Sequence, residues 1–165
     1  MKNVFISLFM ILALGSCKTG KIAVDNGSEN KPAIEDYLQF KSVDKISENT
    51  PFYLSIKNIT DDTVVIHHPY AKRFYREGEE KPFRIIQCPC GAHCAPPPKY
   101  IKLKPEEVLE INWNLKEGYC KEVEGEDMPI AIENFVGPGN YKLWVQWGLS
   151  IEKKMDYYYK FWIEK

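Results

Sequence analysis

The stretch VLEINWNL, Val108 to Leu115, alternates without a break: Leu109, Ile111, Trp113 and Leu115 are apolar, and Glu110, Asn112 and Asn114 between them are polar. Successive side chains of an extended chain point to opposite faces, so this pattern buries one face of a strand and wets the other. An α-helix would scatter the same residues around its circumference. The same period recurs in FYLSIKN, where Phe52, Leu54 and Ile56 share a side. In YKLWVQW it groups Tyr141, Leu143, Val145 and Trp147, and in YYYKFWI it groups Tyr157, Tyr159, Phe161 and Ile163. YLQFKSV (37–43), TVVIHH (63–68) and FRIIQC (83–88) bring the expected strands to seven. Turn chemistry separates them, as at Asp61-Asp62 after the FYLSIKN run.

No long window carries an i, i+3, i+4, i+7 apolar stripe, so helices are not expected. Short alternating strands at regular spacing predict an all-β, antiparallel immunoglobulin-like β-sandwich of about seven strands with Greek-key connections, spanning residues 33–165. A Pro138-Gly139 turn directly before Tyr141 places a tyrosine at the start of the penultimate strand. There its hydroxyl can reach back to the backbone as a tyrosine corner.

The N-terminus sets the compartment. Residues 1–16, MKNVFISLFMILALGS, pair a positive Lys2 with the apolar run Val4–Leu14, the length of a signal peptide and too short to span a ~30 Å hydrocarbon core. The run closes on LGSC, which resembles the lipobox of bacterial lipoproteins. That resemblance implies cleavage before Cys17 and attachment of fatty acyl chains, such as palmitate, to Cys17. Each buried CH₂ adds ~0.8 kcal/mol, so two or three chains would hold the protein to the membrane permanently. Lys18 is not the Asp that retains some such proteins at the inner membrane, so the expected address is the cell envelope, on the outer membrane. Residues 17–32, CKTGKIAVDNGSENKP, are polar and aperiodic, and read as a flexible tether.

FYLSIKNITDDTVVI, LKPEEVLEINWN and GPGNYKLWV together resemble the layout of bacterial immunoglobulin-like domains of the intracellular proteinase inhibitor type. Pro105-Glu106-Glu107 stands where those domains carry Pro-Gly-Glu. The resemblance implies the fold, and protease inhibition as one alternative function. No reactive loop matches.

A formal net charge of −1 offers no basic field for nucleic acid, so that partner class is excluded. With Cys17 taken by lipid, Cys88, Cys90, Cys94 and Cys120 remain, and an even number in an exported domain predicts disulfides. Cys88 and Cys90 are too far apart in an extended chain to bridge each other. Two pairings stay open: Cys88–Cys94 with Cys90–Cys120, or Cys90–Cys94 with Cys88–Cys120. The long bridge closes about 30 residues and is worth ~3–4 kcal/mol in the chain-entropy picture. The rival is a zinc or copper(I) site built from the same four cysteines and His93, but C-x-C-x₃-C lacks the usual matched pairs. No C-x-x-C redox motif is present, and no cofactor is expected.

His67 and His68 are adjacent on a strand and point to opposite faces, so they cannot chelate together. They read as a strand-end pair near the surface. Glu77, Glu79, Glu80, Glu122, Glu124, Glu126 and Asp127 fall in expected loops and read as solvated charge. No GxSxG, HExxH or phosphate loop occurs, so the expectation is a non-enzymatic binding or structural module. If the odd residues of the last two strands face inward, Trp144, Gln146, Tyr158, Lys160 and Trp162 face outward. Trp144, Tyr158 and Trp162 then form an aromatic surface able to stack on a protein or glycan ligand.

Overall fold

The computed structural model describes residues 32–43 and 45–165. The leader, Cys17 and residues 18–31 lie outside the described residues. Among the described residues the fold is all-β, with antiparallel pairing throughout and ten strands in three sheets. A short 3₁₀ turn, Ile34–Asp36, leads into β1 (Leu38–Ser42), which pairs with β2 (Phe52–Asn58). β6 (Val108–Trp113) lies on the other side of β2. The second sheet contains β3 (Val64–His67), β4 (Phe74–Arg76), β5 (Tyr100–Leu103), β9 (Gly139–Gly148) and β10 (Met155–Ile163). Its order is β10-β9-β3-β5, and β4 also pairs with β9. β7 (Lys116–Lys121) and β8 (Ile130–Phe135) make a separate two-stranded ribbon.

Six of the seven expected stretches are strands. FRIIQC is not. That segment runs extended with one bond on each side, Phe83 N–H to Phe74 O (2.8 Å) and Gly118 N–H to Arg84 O (2.8 Å), and builds no ladder. The sequence pattern also misses four strands. β4 is three residues long, too short to show a period. β5, β7 and β8 carry little buried side-chain surface, so nothing forces apolar and polar residues to alternate.

The two larger sheets pack face to face over an aromatic core. Phe52 of one sheet meets Phe161 of the other at 4.3 Å between ring centroids, and Phe74 stacks on Trp113 at 4.3 Å. Trp113, Trp147, Tyr141, Phe52 and Phe74 are the largest fully buried side chains. Rings of this size each remove 150–250 Å² from water, which makes them the main apolar contribution to the fold.

Three polar devices close the ends of the sandwich. Asn58 is fully buried; its Nδ2 donates to Asp62 O (2.7 Å) and Leu103 O (2.9 Å), and its Oδ1 accepts from Thr60 N–H (3.0 Å) and Thr60 Oγ1 (2.9 Å). One side chain thus satisfies the β2–β3 turn at no unpaired cost. Tyr141 forms the expected corner: its hydroxyl lies 2.9 Å from Val136 O and 2.8 Å from Gly137 O, and accepts from Arg76 Nη2 at 2.9 Å. At the far end of β9, a Cβ on Gly148 would stand 1.8 Å from Lys153 O, so only glycine lets the β9–β10 loop fold back onto the sheet.

Candidate functional site

The outer face of β9, β10 and β4 carries the aromatic residues read from the sequence. The strand register settles who neighbours whom: Trp144 lies opposite Tyr158, Lys142 opposite Lys160, and Asn140 opposite Trp162. On the other side of β9, Tyr75 lies opposite Lys142. β4 reaches this position because the His68–Arg73 loop leaves β3 and returns to the same edge of β9. His68 (φ 47°) and Lys72 (φ 43°) turn the chain, and Trp144 N–H donates to Arg73 O at 3.0 Å.

The three expected binding residues differ in what they offer. Trp162 is 54% exposed and Tyr158 45% exposed. Trp144 is half-buried. Its Nε1 donates to Asp156 Oδ1 (2.9 Å), an oxygen that also accepts from Gln146 Nε2 (3.1 Å). The Arg73 guanidinium sits 4.7 Å from the centroid of the same indole. Trp144 is therefore a fixed support with one ring face covered, rather than a free platform. Tyr158 is flanked by Lys142 Nζ at 5.1 Å and by Tyr75 edge-on at 6.3 Å, while Lys160 pairs with Glu77 at 2.9 Å. Tyr158 and Trp162 are four residues apart on one face, ~13 Å along the strand, with Lys160 between them. The face is thus a ladder of rings and cations. Arg73, Tyr75 and Lys142 belong to it, and the sequence reading named none of them: Arg73 sits in the loop before β4 and Tyr75 in β4 itself, too short to show a period, whereas Lys142 shares the alternation of Trp144.

The four cysteines pair as Cys88–Cys94 and Cys90–Cys120, with Cα–Cα separations of 6.2 and 5.6 Å. This is one of the two pairings left open by spacing. The long bridge ties the 83–94 segment to β7, and the short one closes a loop whose tip, residues 91–94, is exposed. Gly91 (φ 76°) presses this loop against the ribbon: a Cβ there would meet Met128 Cε at 2.6 Å. Sulfurs in disulfides are not thiolate ligands. Among the described residues no group of three or more His, Cys, Asp or Glu could hold a metal ion. The loop acids stay at the surface, with Glu122, Glu124, Glu126 and Asp127 lining an open depression at the ribbon tip.

The histidines need one correction. His68 is exposed, but His67 is 3% exposed, not a surface residue. It lies on the outer side of β3 beneath the β9–β10 loop, near Ser150 and Lys154, and its Nε2 has no hydrogen-bond partner among the described residues. Burial, aided by Lys154, holds its pKa below the usual imidazole value. A second concave surface lies on the opposite sheet, where Lys41, Ser55, Tyr53, Val108 and Glu110 line an open groove. There the Glu110 carboxylate accepts from Tyr53 and raises its phenol pKa.

No family model matches the sequence, no curated protein matches it, and no solved structure matches the fold.

Proposed function

We propose that the protein is a lipid-anchored binding module of the cell envelope, non-enzymatic, that recognises a protein or glycan through the outer face of β9 and β10. The observation that carries this reading is the exposure of Trp162 and Tyr158 on a face whose other groups are already fixed by Asp156, Arg73, Lys142 and Glu77. Two aromatic side chains held in water on a rigid strand pay little ordering cost when a ligand covers them. The adjacent lysines favour a ligand that carries acidic groups beside its apolar or ring surface.

In this reading residues 1–16 are a lipoprotein signal peptide, Cys17 bears the fatty acyl chains, and residues 17–32 hold the domain off the outer membrane. The leader, Cys17 and residues 18–31 of the tether lie outside the described residues; LGSC and the run before it support the assignment. The domain that follows is read as an immunoglobulin-like Greek-key sandwich elaborated by the ribbon, on the support of the Tyr141 corner and the face-to-face packing of two antiparallel sheets.

The test is a binding screen against envelope glycans and purified envelope proteins, read by tryptophan fluorescence. The expected result is a ligand whose affinity falls at least tenfold in Trp162→Ala and in Tyr158→Ala and is unchanged in Tyr119→Ala, an equally exposed ring on the ribbon. A ligand that binds all three variants alike would refute the assignment of this face.

A further inference from the structure

The edge of β10 away from β9 carries a pattern of its own. In β9 the even-numbered residues spend backbone groups on β4: Trp144 N–H donates to Arg73 O and Asn140 O accepts from Glu77 N–H. Odd residues of β9 therefore bond to their odd partners in β10, such as Leu143 with Tyr159. The even residues of β10 must aim their N–H and C=O groups outward. Glu164 does so, donating to Ile46 O at 2.8 Å. Before that point, Asp156, Tyr158, Lys160 and Trp162 have no strand beside them among the described residues.

Edges of this kind are normally blunted by proline, a bulge, short length or edge charges. β10 is nine residues long, contains no proline and pairs with β9 in one unbroken register, and its edge charges, Asp156 and Lys160, are of opposite sign. Its inward rings Tyr157, Tyr159 and Phe161 are only partly buried, whereas the inward residues of β9 are fully so. The edge is unsealed, and a further strand would complete the burial of those rings.

We infer that the occupant is β10 of a second copy of this chain, paired antiparallel about a two-fold axis through Tyr158. A closed two-fold contact must be self-complementary, and the charges select the register. With Tyr158 opposite itself, Asp156 faces Lys160 twice and Lys154 faces Trp162 twice. Moving the axis one residue earlier sets Lys154 against Lys160. Moving it one residue later brings Lys154 against Glu164, whose backbone is already held by Ile46. Moving it two residues later stacks Lys160 on Lys160. Of these axes only the one at Tyr158 sets opposite charges together and leaves the Ile46 contact intact, and axes nearer Met155 would run the pairing out of β10 into the β9–β10 loop. Opposed charges across strands stabilise a pair and like charges destabilise it. This inference is independent of what the outer face binds.

Cysteine placed at the axis tests it in the full lipidated chain, in membranes under mild oxidant. Tyr158→Cys should form a covalent dimer, since hydrogen-bonded partners in an antiparallel pair stand ~5.5 Å apart at Cα. Trp162→Cys, equally exposed but ~27 Å from its symmetry mate, should not. In the Tyr158→Cys background, Lys160→Asp should cut the dimer at least tenfold, and adding Asp156→Lys should restore it. The absence of a Tyr158 dimer, equal cross-linking at 162, indifference to Lys160→Asp, or failure of the charge swap to restore the dimer would each overturn the assignment.

Discussion

The sandwich and the ribbon are held by different forces. In the sandwich, Trp113, Tyr141, Phe52 and Phe74 are removed from water and meet ring to ring across the two sheets, and Trp147 is buried beside Tyr37. In the ribbon, most residues of β7 and β8 are exposed, as are Met128 and Cys120. What fixes this part is covalent: Cys90–Cys120 ties the 83–94 segment to β7, and Cys88–Cys94 closes the loop at its end. An apolar core stabilises the folded state directly, whereas a cross-link acts mainly by restricting the unfolded chain. A segment with too little apolar surface to bury can therefore still be ordered, provided the compartment keeps its thiols oxidised.

The contrast predicts where substitutions matter. Trp113→Ala removes a ring packed against Phe74, Phe83 and Tyr141 and should cost ~3–5 kcal/mol, read as a lower urea midpoint. Loss of less than ~1 kcal/mol would mean that the aromatic core is not the main support. Tyr141→Phe keeps the ring but takes the hydroxyl donor from Gly137 O, while Arg76 still holds Val136 O, with an expected cost of ~1–3 kcal/mol. Because the folded pKa of His67 lies below its unfolded value, the unfolded chain binds the extra proton first. Stability should fall as pH drops below ~6.5, by at most ~1.4 kcal/mol per unit, until the folded-state imidazole also titrates. His67→Phe should flatten that slope in thermal melts, and an unchanged slope would assign it elsewhere. The smallest effect belongs to Trp162→Ala, within about ±0.5 kcal/mol in the same urea experiment, because its ring is largely in water.

Legibility in the sequence followed the same division. Where one face of a strand is buried, as in β2, β6 and β9, hydropathy alternates and the strand can be read, down to which side of Trp113 or Leu143 faces the core. The ribbon strands KEGYCK and IAIENF bury neither face, and so leave no period. FRIIQC has the composition of a strand, yet Ile85 and Ile86 are only half-buried and its backbone makes single bonds rather than a ladder. The choice between Cys88 and Cys90 as the partner of Cys120 was unreadable because they are two residues apart. The contact of Gly91 with Met128, which brings the loop to the ribbon, depends on a turn that spacing does not encode. His67 was misplaced because its cover comes from the β9–β10 loop, far along the chain, and from the one glycine, Gly148, that lets the loop close. On the outer face, Trp144 and Tyr158 follow from the alternation of β9 and β10, but Tyr75 comes from a strand three residues long and Arg73 from the loop before it.

The most direct test of this two-part account is amide hydrogen exchange on the intact protein before and after reduction of its disulfides. Reduction should release residues 83–99 and 116–135 to fast exchange, while β2 and β9 keep their protection. Loss of protection in β2 and β9 along with the ribbon, or a ribbon as protected after reduction as before, would contradict it.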